Sequence, residues 1–243
     1  MPDQNSNAKT IKNIVLVHGA FTDGSCWAKI IPLLQAKGYN AVAVQNPLTS
    51  MADEVSATKR MIALQDGPVI LVGHSWGGVV ITQAGDHPKV AGLVYVTGYA
   101  PEVGQSANDA GAPYGWSEGQ KQIRVDTEQF AYVTPEGMLD NIAEGLPMEE
   151  RTLALAVQGQ SYGPMFDEKV TVTAWKDRPT WALISTKDRM LQPAMELAMA
   201  KRMNAKITTV ESCHMVILEV PEVVAKVIDE AATLALNGYP TPN

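Results

Sequence analysis

Six short apolar runs recur along the chain, at residues 14–17, 41–44, 69–72, 90–96, 181–184 and 205–210. Most are unbroken in Val, Ile, Leu and Ala instead of alternating with polar residues. A strand with one wetted face alternates; a strand covered on both faces does not, and parallel sheets sandwiched by helices are where such strands occur. The stretches between the runs carry helix punctuation. Ser50 and Asp53 have the spacing of a capping box ahead of a helix over 55–64. Lys37-Gly38 and Gln65-Asp66-Gly67 read as helix exits, with glycine just past the end. Pro193 and Pro221 suit the first turns of helices over 194–203 and 222–236. A helix over 79–84 follows the third run. A helix over 25–37 is also expected, kinked by Pro32 in its interior. Strand and helix alternating in this way predict an α/β fold, a doubly wound parallel sheet with right-handed crossovers.

One interval breaks the rhythm. More than 80 residues separate Val96 from Trp181, too many for a structureless loop in a compact domain. The interval has its own helix signals, Thr134-Pro135-Glu136 and the stretch 148–157 after Pro147, and it is rich in Gly, Tyr, Trp and Met. The expected organisation is a core over 11–100 and 179–237, a helical lid over 101–178 and a polar stretch over 1–10. The alternative is an ordinary connection with two helices that takes no part in binding.

Composition narrows the function. The chain has 243 residues, of which 46% are hydrophobic and 19% charged, enough for a packed core. The net charge is −7 with no basic run, which argues against nucleic acid as a partner. No apolar run approaches the ~18 residues of a membrane span, and residues 1–10 lack the apolar centre of a secretory signal, so a cytoplasmic protein is the expectation. Cys26 and Cys213 are not in a C-x-x-C pair, so no metal site is expected. They read as two small buried side chains, with a disulfide as the alternative.

The chemistry concentrates at Gly73-His74-Ser75-Trp76-Gly77, a G-x-S-x-G sequence directly after an apolar run and directly before a helical stretch. That context makes Ser75 a nucleophile candidate on a tight strand-to-helix turn. A serine hydroxyl needs a base. Of the four histidines, His214 follows the last predicted strand, at the sheet edge where Ser75 also lies. His74 lies on the wrong side of the turn, His18 reads as a structural residue below the site, and His87 as a solvated loop residue. A carboxylate orienting the base is expected from Asp188, just past the 181–184 run, with Glu102 as the rival. Along the chain the three then run nucleophile, acid, base: Ser75, Asp188, His214. The oxyanion donors are expected to be the N–H groups of Trp76 and of Ala20, with Phe21 as second choice to Ala20.

With His18-Gly19-Ala20, Trp27, Gly73-His74-Ser75-Trp76-Gly77-Gly78, Asp188 and His214 in order, the chain resembles the α/β-hydrolase superfamily from about residue 14 to residue 236. Within it, the chain looks most like small cofactor-free esterases related to the plant methylesterase and hydroxynitrile lyase group. In that group esterases tend to carry Gly after the first-strand His and Met after the catalytic His, where the lyases carry Thr and Lys. Gly19 and Met215 therefore favour ester hydrolysis. The resemblance implies a minimal α/β-hydrolase fold of six parallel strands and an acyl-enzyme mechanism without metal or organic cofactor. Gly19, Phe21, Tyr114, Trp116 and Met215 are the expected contacts of a small, partly apolar ester. A lactonase or perhydrolase, a C–C lyase or a receptor of low turnover on the same fold remain alternatives, and a homodimer is compatible with the sequence.

Overall fold

The computed structural model describes residues 10–236. The polar stretch 1–10 therefore lies almost entirely outside the described residues, as does the last residue of the expected core. Six strands form one parallel sheet: β1 (Asn13–Val17), β2 (Asn40–Ala43), β3 (Val69–Ser75), β4 (Val90–Gly98), β8 (Thr180–Ser185) and β9 (Lys206–Val210), in spatial order β2-β1-β3-β4-β8-β9. Each expected run is a strand. Odd and even positions divide between two cores. Ile14, Leu16, Ile70, Val72, Val94 and Val96 pack on one face with Ile30, Leu34 and Ile228. Val15, Val17, Leu71, Leu93 and Tyr95 pack on the other with Ile62, Val79, Val80 and Met195. The two-residue period of a strand, with helices on both sides, is why the runs show no polar alternation.

The helices on the first face are α1 (Ile30–Ala36) and α9 (Pro221–Leu234); on the second they are α2 (Met51–Ala63), α3 (Gly77–Ala84) and α7 (Pro193–Arg202). Both α7 and α9 open on their prolines, as expected. A short α8 (Val216–Glu219) precedes α9. The expected kinked helix over 25–37 is two pieces instead. A 3-10 turn, Gly24–Trp27, is capped by Asp23, whose carboxylate accepts the Ser25 N–H, and α1 starts afresh at Ile30. Pro32 then falls in a first turn, where its missing N–H leaves no bond unmade, so nothing forces a kink. At the start of α2, Ser50 Oγ accepts the Asp53 N–H at 3.0 Å, while the Asp53 carboxylate accepts the Ser50 and Thr49 hydroxyls. That helix ends at Ala63, before the expected Gly67 exit.

The interval between β4 and β8 is mixed rather than all-helical. It holds α4 (Ala107–Gly111), α5 (Pro135–Gly137) running into a π-helical turn (Met138–Ile142), and α6 (Met148–Ala156). It also holds a small antiparallel sheet of β5 (Ile123–Val125), β6 (Phe130–Val133) and β7 (Ser161–Tyr162) that the sequence did not announce. Strands of two to four residues carry too few periods to be read. No helix among the described residues is long and apolar enough to cross a membrane.

Candidate active site

The turn at Ser75 has a steric cause. Ser75 takes φ 55°, a left-handed backbone that costs energy for any residue with a Cβ. It is held there because α3 approaches β3 closely at Gly73 and β1 closely at Gly77. A Cβ on Gly73 would lie 2.5 Å from the Gly77 carbonyl oxygen, and one on Gly77 would lie 2.5 Å from that of Val17. The same crowding explains Gly19, where a Cβ would come within 2.8 Å of the Ser75 Cβ. Gly19 makes room for the serine and does not line the cavity above it.

Two loops at the carboxyl edge of the sheet converge on Ser75. His214, after β9, accepts the Ser75 hydroxyl through Nε2 at 2.9 Å. Its Nδ1–H donates to Asp188 Oδ2, after β8, at 2.7 Å. The second Asp188 oxygen accepts the N–H groups of Met190 (2.6 Å) and Leu191 (2.8 Å), which fix the carboxylate plane. All three side chains are buried. A carboxylate on Nδ1 selects the tautomer with Nε2 unprotonated, and a base so placed can take the hydroxyl proton. The rival Glu102 is elsewhere, paired with Arg202 at 3.1 Å.

The other histidines brace this edge or stand apart. His74 donates from Nε2 to the His214 carbonyl oxygen at 2.9 Å. Burial first, then the neighbouring His214, push its pKa down to about 3, so it is neutral and holds the His214 loop from below. His18 is also buried and its pKa is lowered by that burial. Its Nε2 accepts the Asn46 N–H at 2.9 Å, and its Nδ1–H donates to the Gly19 carbonyl at 2.8 Å. The Thr22 hydroxyl donates to the same carbonyl at 3.1 Å. In a trans peptide the carbonyl and the next N–H point in opposite directions. Fixing the Gly19 carbonyl therefore fixes the Ala20 N–H. The Phe21 N–H, the second choice for an oxyanion donor, is already given to Ser161 Oγ at 3.2 Å. The N–H groups of Ala20 and Trp76 have no partner among the described residues. His87 lies on the loop before β4, where its Nδ1 accepts the Lys89 N–H.

Two buried carboxyls near the site were not legible in the sequence. Glu54, on α2, accepts the Trp76 indole N–H at 2.7 Å, and burial pushes its pKa up to about 8 despite that bond. Glu196, on α7, is buried beside Asp188 with no N–H donor on either oxygen. Burial and then the Asp188 charge push its pKa well above the ordinary 4.5. Both glutamates sit among helix residues with ordinary spacing; only the fold shows what they face.

The cavity above Ser75 is small, about 60 Å³, and mostly apolar. Of the expected contacts, Phe21, Trp116 and Met215 line it, as do Ala20 and Trp76. Tyr114 does not. The chain reverses at Gly115 (φ 71°), leaving Tyr114 in a half-exposed 3-10 turn while Trp116 forms the rim. Sequence reading missed Tyr99, Gln120, Met138, Ile142 and Phe166, which line the cavity from separate elements. Cys26 and Cys213 are buried and free. Among the described residues no group of three His, Cys, Asp or Glu could hold a metal ion.

The pattern of a family described as "Alpha/beta hydrolase family" matches residues 14–227. A pyrethroid hydrolase from Sphingobium wenxiniae is 26% identical, over 92% of this chain and 88% of its own. Methylesterase 2 of Arabidopsis thaliana is 27% identical, over 64% of this chain and 69% of its own. Among solved structures, polyneuridine aldehyde esterase superposes with a TM-score of 0.80 at 18% identity, covering 91% of this chain and 99% of the other.

Proposed function

The chain belongs to the alpha/beta hydrolase family and is a hydrolase of the carboxylic-ester type, and from that premise we infer that Ser75, His214 and Asp188 form its catalytic triad and cleave a small, partly apolar ester through an acyl-enzyme. The observation that carries this reading is the continuous bond path from Ser75 Oγ to His214 (2.9 Å) and from His214 to Asp188 (2.7 Å).

In the first half-reaction His214 Nε2 removes the hydroxyl proton as Ser75 attacks the carbonyl carbon. The carbonyl oxygen becomes an oxyanion, received by the N–H groups of Ala20 and Trp76, the latter at the N-terminus of α3 where the helix dipole favours negative charge. Asp188 stabilises the imidazolium. His214 then gives its proton to the departing alkoxide, and the acyl group stays on Ser75. In the second half His214 takes a proton from water as the hydroxide adds to the acyl carbon, then returns that proton to Ser75 Oγ as the acyl–oxygen bond breaks, and the acid leaves. The interval 101–178 acts as the lid over this edge, with Trp116 at its rim. Met215 beside His214, where the lyases of the group carry Lys, favours hydrolysis over C–C cleavage.

The test is Ser75→Ala assayed with a p-nitrophenyl ester. Turnover is expected to fall by orders of magnitude, up to ~10⁶ in kcat where such residues act as a unit. A fluorophosphonate probe should label the wild-type protein at Ser75 and leave the variant unlabelled. Unchanged turnover in the variant would end this assignment.

A further inference from the structure

The cavity at Ser75 is too small for the ester it would have to hold. Sites for small organic ligands run to roughly 300–1,000 Å³, and this one offers about 60 Å³. A second, larger chamber of about 240 Å³ adjoins it. The two share a wall made of Phe21, Thr22, Met138 and Met215. Two of those four side chains are methionines, unbranched and able to change rotamer without a large penalty. Rotamer changes of these two would widen a passage between the chambers.

The chamber's lining is mostly apolar. Cys26 and Ala28 line it from the turn after β1, Leu218 from α8, and Leu153, Ala154 and Val157 from the far side of the interval. Its one cation, Lys29, is neutralised by Glu150 at 2.6 Å and also donates to the Leu218 carbonyl at 3.0 Å, so it has no charge to offer a ligand. The helix above it, α6, has no fully buried residue, and Leu153 and Val157 remain 61% and 49% exposed. A surface helix normally buries an apolar stripe in the core. Here part of that stripe faces a cavity.

We propose that this chamber binds an unbranched, uncharged apolar chain of the ester, carried past Met138 and Met215 from the carbonyl at Ser75. The assignment rests on the hydrolase reading above and names its substrate class: esters in which one half is a linear chain longer than the Ser75 cavity can hold. The chain can belong to the acid or to the alcohol; the chemistry of recognition is the same.

The test compares kcat/KM for two series, p-nitrophenyl esters from acetate to decanoate and acetate esters of alcohols from ethanol to decanol. In one of the two, kcat/KM is expected to climb with length, by up to about fourfold per buried methylene. Ala154→Trp, which fills the chamber from α6, should bring the octyl-to-short-chain ratio in that series close to one. Leu218→Trp, filling it from α8, should do the same. No gain with length in either series of the wild-type protein, or equal losses on short and long esters in both variants, overturns the proposal while leaving Ser75-dependent hydrolysis standing. Binding of 1-octanol, followed by calorimetry, separates the two readings from the other side. If no ester is cleaved but octanol binds the wild-type protein and not Ala154→Trp, the chamber stands and the hydrolase reading falls. If octanol binds both proteins equally, the chamber assignment falls.

Discussion

The sheet edge and the interval after β4 are built on opposite principles. At the edge, each proposed reacting group is fixed by several neighbours: Ser75 by the Gly73–Gly77 contact, Asp188 by two backbone N–H groups, and the His214 loop by the His74 ring. The interval is assembled from 3-10 turns, a π-helical turn, strands of two to four residues and α6, which buries nothing fully. It also carries seven of the nine exposed large apolar side chains among the described residues. Chemistry that needs atoms placed within a fraction of an ångström sits on the rigid part. Shape, which sets what can enter, is left to the part assembled from short, irregular elements.

This contrast can be broken first at the edge. Asp188→Asn should lower kcat by about 10⁴, because an amide in that place can present N–H to Nδ1 and turn the imidazole to the wrong tautomer. Circular dichroism should show the fold intact. A loss below tenfold would mean that the rigid edge matters less than its geometry implies.

A smaller effect is expected one layer back, at Glu54. Its pKa is raised from an ordinary 4.5 to about 8, so between those values the folded protein keeps a proton that the unfolded chain has released. By linkage, stability from this group is fully present below pH 4.5 and is lost as pH rises through about 8. Glu54→Gln keeps an acceptor for the Trp76 indole and removes the titration. The melting temperature of the variant should therefore fall less than that of the wild type between pH 5 and 8. Parallel curves for the two proteins would contradict the buried, neutral carboxyl.

The smallest effect belongs to the interval. Trp116 is 68% exposed at the cavity rim, so most of its ring contributes nothing by burial. Trp116→Ala should raise KM by less than tenfold, corresponding to under about 1.4 kcal/mol, with a smaller change in kcat. A large drop in kcat instead would mean that the rim takes part in placing the ester and that the division drawn here is too sharp.

The same division decides what was legible in the sequence. The six core strands were readable because burial on both faces leaves unbroken apolar runs, and the meeting of Ser75, Asp188 and His214 because each lies at or just past the carboxyl end of such a run. The interval was readable only as an insertion. Its strands are too short to show a period, and Tyr114 and Trp116, two residues apart, are sent to different places by the reversal at Gly115. Contacts between distant residues were invisible for a different reason. Ser161 takes the Phe21 N–H across 140 positions, and Glu54 reaches the Trp76 indole across 22. Nothing local to either residue marks the pairing, because the fold alone brings them together.

The Gly19–Ala20 peptide carries one last consequence. His18 and Thr22 both grip its carbonyl oxygen, so the dipole of that amide is already aimed before any ester arrives. In water, solvent molecules would have to turn toward a charge as it forms, and that turning is part of the barrier. In the proposed mechanism that turning is done once, during folding, and the service of His18 to the reaction is complete before the reaction begins.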